Sequence, residues 1–155
     1  MKISLIQVGK TQDKHLRDFI DDYRKRISHY VSFDIITIKE AQVNKNENKI
    51  LYQKKEADEI LKCLRQHPFP ILLDELGKQY NSVGFAKQCQ KWFEAHHHIS
   101  FVIGGAYGFH PSIIEKGFAK IALSKMTFTH QWVRLILVEQ IYRSMTILNN
   151  QSYHH

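Results

Sequence analysis

The chain is poor in the features that would mark a secreted, disulfide-built or metal-built protein. Its 155 residues hold only two cysteines, Cys63 and Cys89, far apart and outside any metal-ligand spacing. That argues against a disulfide scaffold and a cysteine metal centre, and fits reduced thiols used as small apolar side chains. No apolar run approaches the roughly 20 residues that a bilayer demands. The opening Met1-Lys2-Ile3-Ser4-Leu5 alternates like a strand and lacks the uninterrupted apolar core of a secretion signal. A cytoplasmic protein with no membrane partner is expected. There is no internal repeat and no low-complexity tract. Acidic residues are also few: 15 Asp and Glu stand against 22 Lys and Arg, a formal net charge of +7, and ten histidines add charge where an anion raises their pKa. Such an excess points to a polyanionic partner, nucleic acid first, and says nothing about sequence specificity.

What is present reads as one α/β domain over residues 1–155. Lys2–Val8 is a strand, and Gly9-Lys10-Thr11-Gln12 leads to Asp13, a helix cap. Leu16, Phe19, Ile20, Tyr23, Ile27 and Tyr30 recur at steps of three and four, which predicts an amphipathic helix over Asp13–Tyr30. Phe33–Lys39 is rich in β-branched residues and predicts a second strand. Glu40–Lys49 is polar and Asn/Lys-rich, a solvated connection, with RNA contact as the alternative. Ile50–Gln66 carries Ile50, Leu51, Ala57, Ile60, Leu61 and Leu64 on one side, a helix stopped by Pro68 and Pro70. Ile71–Asp74 reads as a short inner strand followed by a turn, Glu75-Leu76-Gly77-Lys78. Ser82–His96 is helical, with Val83, Phe85, Ala86, Cys89, Trp92 and Phe93 on its apolar face. The strand Ile99–Ile103, a short helix Ser112–Phe118, a brief strand Ile121–Leu123 and a long helix His130–Leu148 follow. Alternation of strand and helix implies a mainly parallel sheet with helices on both faces.

Two loops stand out. Ile99–Ile103 feeds Gly104-Gly105-Ala106-Tyr107-Gly108, a buried strand ending in a loop whose backbone needs room. Ile121–Leu123 ends in Ser124-Lys125-Met126-Thr127-Phe128-Thr129, hydroxyls mixed with large apolar side chains. In open α/β sheets ligands lie outside the carboxyl ends of the strands, so both loops and the end of Ile71–Asp74 are expected to line one crevice. The glycine loop is neither a dinucleotide fingerprint nor a phosphate-binding loop, because its glycines sit elsewhere and no Gly-Lys-Ser/Thr follows. The triple His96-His97-His98 points three ways and has no suitably spaced partner ligand, so it reads as solvated surface and no metal is expected. On the last helix Trp132, Val133, Leu135, Ile136, Leu137, Val138, Ile141, Tyr142 and Met145 run nearly all round. Such a helix needs cover on several sides, which predicts a homodimer across it. Glu139 and Arg143 stand four apart, an ordinary ion pair elsewhere but charges with a task in so apolar a setting.

The run Leu123-Ser124-Lys125-Met126-Thr127-Phe128-Thr129-His130, then Arg134, Glu139-Gln140, Tyr142-Arg143 and the closing Tyr153-His154, resembles the signature of the RlmH family, small RNA methyltransferases of the SPOUT superfamily. The resemblance extends to Leu73-Asp74 with Gly77-Lys78, to Val102-Ile103-Gly104-Gly105 with Gly108, to Val8-Gly9-Lys10, and to total length. It implies S-adenosylmethionine-dependent methylation at N3 of a pseudouridine in large-subunit ribosomal RNA, on the assembled ribosome. It also implies a C-terminal trefoil knot and a dimer. By the same resemblance the cofactor site maps onto Leu73, Gly104, Leu123, Ser124, Lys125, Met126, Thr127 and Phe128. Leu73, Leu123, Met126 and Phe128 offer apolar cover for adenine, and the loop backbone offers hydrogen bonds to its polar edge. Methyl transfer from a sulfonium needs no metal, but the acceptor nitrogen has to lose its proton. Glu139, Arg143, Tyr153 and His154 are the candidates for that part of the site. Asn149-Asn150-Gln151-Ser152 and His155 depart from the family's usual tail. The readings left open are a non-catalytic RNA- or ribosome-binding protein of the same fold, and a methyltransferase acting on another RNA.

Overall fold

The computed structural model describes residues 1–42 and 48–154; part of the polar Glu40–Lys49 connection, and His155, lie outside the described residues. Five strands, β1 (Lys2–Val8), β2 (Ser32–Ile38), β3 (Pro70–Gln79), β4 (His98–Ile103) and β5 (Ala119–Ala122), alternate with five helices. These are α1 (Lys14–Ser28), α2 (Lys49–Leu64), α3 (Ser82–Ala95), α4 (Pro111–Ile114) and α5 (His130–Leu148). The strands form one sheet in the order β2-β1-β4-β3-β5, every pair parallel. The parallel α/β class with helices on both faces is therefore what the chain adopts. Alternate side chains of β1 and β4 feed two apolar clusters. Ile3, Leu5, Ile99 and Phe101 face Ile20 and Ile27 of α1, Cys89 and Trp92 of α3, and Leu137, Ile141 and Met145 of α5. Ile6, Val8 and Val102 face Ala57 and Ile60 of α2 and Ile113 of α4.

Capping residues set where the helices begin. Asp13, Asn48 and Asn81 accept hydrogen bonds from the backbone N–H groups of Leu16, Ile50 and Gly84, satisfying donors the first turn leaves free. The helix expected over Ser112–Phe118 is only Pro111–Ile114, because the chain turns at Gly117, whose φ is +68°. The turn expected at Glu75–Lys78 is a strand irregularity instead. Ile121 of β5 stands in register with both Leu73 and Lys78, so Asp74–Gly77 bulges out while β3 continues to Gln79. Asp74 holds the bulge by accepting the Leu76 N–H at 2.8 Å.

Not every apolar residue of the predicted stripes turns inward. Ile50 and Leu51 are exposed on the first turn of α2, and Phe19 is 57% exposed on α1. On α5, Leu137, Val138, Ile141 and Met145 are buried, whereas Trp132 is 54% exposed. Leu135, Ile136 and Ile147 are half-buried. Among the described residues no helix is long and apolar enough to cross a membrane.

Candidate active site

The carboxyl ends of β3, β4 and β5 meet at one cavity of about 780 Å³, within the size range of small-molecule sites. Parallel strands all end on the same edge of the sheet, so the loops that follow them gather there. Leu73–Leu76 come from β3, Gly104–Gly108 from the loop after β4, and Leu123 with Thr127–Thr129 from the loop after β5. His130 and Val133 of α5 and Lys49 of α2 complete the wall. Of the eight predicted cofactor residues, Leu73, Gly104, Leu123, Ser124, Met126, Thr127 and Phe128 line this space, and Lys125 does not. Met126 is 73% and Phe128 41% exposed, so the rim offers apolar surface that a ligand or a second chain would cover. Ser124 Oγ accepts the Met126 N–H at 3.0 Å and shapes the turn.

The glycine loop depends on a different glycine from the one the sequence singled out. A methyl group on Gly104 would only touch the Phe109 ring, at 3.4 Å. On Gly105 it would stand 2.5 and 2.6 Å from the two carboxylate oxygens of Glu56, a residue 3% exposed on α2. Gly108 has a φ of +73°, a conformation other side chains rarely adopt. Gln53 donates to the Tyr107 carbonyl at 2.7 Å, and Tyr52 packs edge-on against the Tyr107 ring. Helix α2 is therefore the support of the loop, a role the sequence did not disclose. The available sign was a carboxylate at position 56, one turn before Ile60 on the same stripe.

Arg134, fully buried, anchors the helix that follows the other loop. It donates to the Val8 carbonyl at 2.5 Å and to Thr11 Oγ1 at 3.0 Å, tying the start of α5 to the end of β1. Its Nε is buried without a partner among the described residues. Burial lowers the guanidinium pKa, and Glu40 opposes this. Gln131 adds a second tie, accepting the Gln12 N–H at 2.9 Å. Burial, and then Arg134, lower the pKa of His130 at the cavity wall, against the pull of Glu40.

Three of the four proton-handling candidates form one network, but not at this cavity. Glu139 Oε1 accepts from Arg143 Nη2 at 2.6 Å, Arg143 Nε at 3.0 Å and the Tyr153 hydroxyl at 3.1 Å. Its Oε2 accepts from Gln140 at 2.6 Å. Arg143 lies 4.6 Å over the Tyr153 ring, Tyr142 packs edge-on at 4.8 Å, and the Tyr23 and Tyr153 hydroxyls are 3.2 Å apart. Tyr30 donates to Gln151, fastening the tail to the end of α1. Burial first, then Tyr23 and Glu139, raise the Tyr153 pKa, so its proton stays on. The hydrogen bond to Glu139 raises that of Arg143, which stays cationic. His154 follows, half-buried. None of the four lines the cavity. Ten residues of helix separate Val133 from Arg143, ~15 Å at 1.5 Å per residue.

The histidine tract is not simply solvated. His96 stacks on Phe69 at 3.7 Å, and His98 Nε2 lies 2.8 Å from the hydroxyl of buried Ser4, which His67 Nδ1 also approaches at 3.3 Å. These rings sit at the amino-terminal edge of the sheet, opposite the cavity. Among the described residues no group of three or more metal-ligating side chains is assembled.

Comparison with known proteins gives a consistent result. The family described as "Predicted SPOUT methyltransferase" matches residues 1–154. A protein of Phocaeicola vulgatus named "Ribosomal RNA large subunit methyltransferase H" is 47% identical over 160 residues, covering 100% of this chain and 99% of its own. Proteins of the same name from Flavobacterium psychrophilum and Porphyromonas gingivalis are 46% and 42% identical, with the same coverage of both chains.

Proposed function

The chain belongs to the SPOUT methyltransferase family, and on that premise we propose an S-adenosylmethionine-dependent methyltransferase that modifies N3 of a pseudouridine in large-subunit ribosomal RNA, acting on the assembled ribosome. Methylation of large-subunit ribosomal RNA is the activity that the full-length relatives are named for. The observation that carries the reading of the site is the convergence of three strand ends on one cavity, walled by apolar side chains and an open glycine-loop backbone. Leu73, Leu123 and Phe128 give the adenine its apolar cover, and backbone groups of Gly104–Gly108 and of the Ser124–Thr129 loop meet its polar edge and the ribose. Glu56 Oε1, buried behind Gly105 without a hydrogen bond among the described residues, fits a donor that carries positive charge. When bound, S-adenosylmethionine supplies a methyl group already activated by a leaving group that departs as neutral thioether.

The chain's own residues then have to bring a base to that methyl group and stabilise the anion left when its N3 proton passes to solvent water. Arg143, held cationic and aimed by Glu139, meets a phosphate or the ring anion, and Tyr153 and His154 close over the flipped base. Both oxygens of Glu139 are occupied, so its part is to orient Arg143 and Tyr153. These groups stand ~15 Å along α5 from the cavity of their own chain. A two-fold partner packed on α5 brings its own tail to that cavity instead, which accounts for Trp132, Met126 and Phe128 left exposed beside the site. The working unit is then a homodimer in the bacterial cytoplasm, with the threaded C-terminus of the SPOUT fold forming the cavity floor.

Calorimetry with S-adenosylmethionine and mass mapping of ribosomal RNA from cells with and without the protein test this reading. The expected results are saturable binding and one methyl group missing from a large-subunit pseudouridine. Arg143→Ala is expected to leave donor binding intact and to abolish methylation; unchanged methylation would remove Arg143 from the mechanism.

A further inference from the structure

Behind the glycine loop lies a charged group that neither the fold nor the packing explains. Glu56 is 3% exposed, and among the described residues it makes no ion pair with an arginine or lysine and leaves Oε1 without a hydrogen bond. Its neighbours are the Tyr52 hydroxyl one turn earlier, the Gly105 amide, and a second acid, Glu40. Burial and Glu40 raise its pKa, while the hydrogen bonds from Tyr52 and Gly105 hold it down. An uncompensated buried carboxylate is costly, and a leucine or glutamine of similar volume would fill the same space without that cost. What distinguishes the position is its depth. A Cβ on Gly105, a residue of the cavity wall, would already touch both carboxylate oxygens, so the charge lies a single glycine away from whatever occupies the cavity.

We infer that Glu56 is a positioning residue for the methyl donor: its carboxylate holds the Gly105 backbone from behind and favours a cationic sulfonium over the neutral thioether left after transfer. The inference rests on reading the cavity as the S-adenosylmethionine site. Donor and product differ by one methyl group and one positive charge, so the apolar walls made by Leu73, Leu123 and Phe128 bind both alike. A fixed negative charge behind the wall does not. It gives the site a means of exchanging spent cofactor for fresh that shape alone cannot provide.

The test is calorimetry at pH 8 with S-adenosylmethionine and S-adenosylhomocysteine on the full-length wild type and on Glu56→Gln. The glutamine keeps the size and an acceptor for the Gly105 N–H but removes the charge. Donor affinity is expected to fall about tenfold and product affinity to stay within about twofold, a modest effect beside that of two charges in contact at the same dielectric. Equal losses for both ligands would reduce Glu56 to a loop support and overturn the inference, as would no change in either. Wild-type protein that binds neither ligand would overturn the reading of the cavity itself. Should Glu56→Gln fail to fold, the wild type still decides: product bound as tightly as donor leaves no charge preference for Glu56 to create.

Discussion

Replacing Gly77 by alanine tests the link between sheet geometry and the cavity. An ideal Cβ at Gly77 would stand 2.4, 2.6 and 2.7 Å from the carbonyl carbon, nitrogen and Cα of Ile121, against 3.4 Å or more for ordinary contact. The obstacle is main chain, so no rotamer change relieves it, and β3 and β5 have to separate by about 1 Å. β5 is a four-residue edge strand and is the part that gives. Overpacking costs ~1–3 kcal/mol in general, and a backbone obstacle belongs at the top of that range. At ~2–4 °C per kcal/mol for a chain of this size, a loss of about 3 kcal/mol lowers Tm by about 6–12 °C. Because Ala122 and Leu123 line the cavity, S-adenosylmethionine affinity should fall with it. Gly84→Ala is the contrast: its nearest obstacle is a side-chain atom, the capping Asn81 Oδ1 at 2.9 Å, which can shift, and the ~1 kcal/mol by which alanine suits a helix better offsets the disturbed cap, so the Tm should change little. Thermal melts followed by circular dichroism, with calorimetry on the same samples, read both effects. A Gly77→Ala protein melting within about 2 °C of wild type would refute the close-approach argument.

The remaining predictions concern the loop support, the interface and the far edge of the sheet. Gly105→Ala should destabilise the fold in urea, and Glu56→Ala in the same chain should recover part of the loss, a coupling of ~1–2 kcal/mol; strict additivity would mean the two do not collide. Trp132→Glu should shift the sedimentation coefficient from dimer to monomer, and an unmoved dimer would place the interface elsewhere. Burial, then Lys2, lower the pKa values of His67 and His98, with Asp34 pulling the other way. The unfolded chain therefore binds more protons, so their contribution is complete above the ordinary histidine pKa near 6.5 and is lost as pH falls below it. His130 adds in the same sense. The Tm should drop between pH 7.5 and 5.5, less so in His67→Gln/His98→Gln, and an identical slope in that variant would clear the pair of responsibility.

Local chemistry made much of this legible in the chain alone. The run Ile99–Ile103, apolar except for buried Ser100, shows no alternation because β4 is central and covered on both sides, and its shortness and the glycines after it mark it as an inner strand. The caps at Asp13 and the stops at Pro68 and Pro70 are decided within a few residues, so they too were visible. Gly77 reads as part of a turn in the sequence because a glycine shortly after the acidic pair Asp74-Glu75 signals a turn equally well as a place where two backbones touch; only the register with Ile121 separates the two. Glu56 escaped notice because its neighbour Gly105 is 49 positions away. The separation of Arg143 from the cavity was equally hidden, since sequence proximity to the loops says nothing about which end of a helix faces them.

Helix α5 spans 19 residues as one uninterrupted rod. Its first turn carries His130 and Val133 at the cavity and its last half carries Glu139 and Arg143, so in the proposed dimer one helix spaces the wall of its own cavity from the arginine clamp it extends to the partner's. One residue inserted between Val133 and Arg143 would advance the clamp ~1.5 Å and swing it through ~100°. Length and phase of that segment are thus under tighter constraint than the identity of most side chains on it.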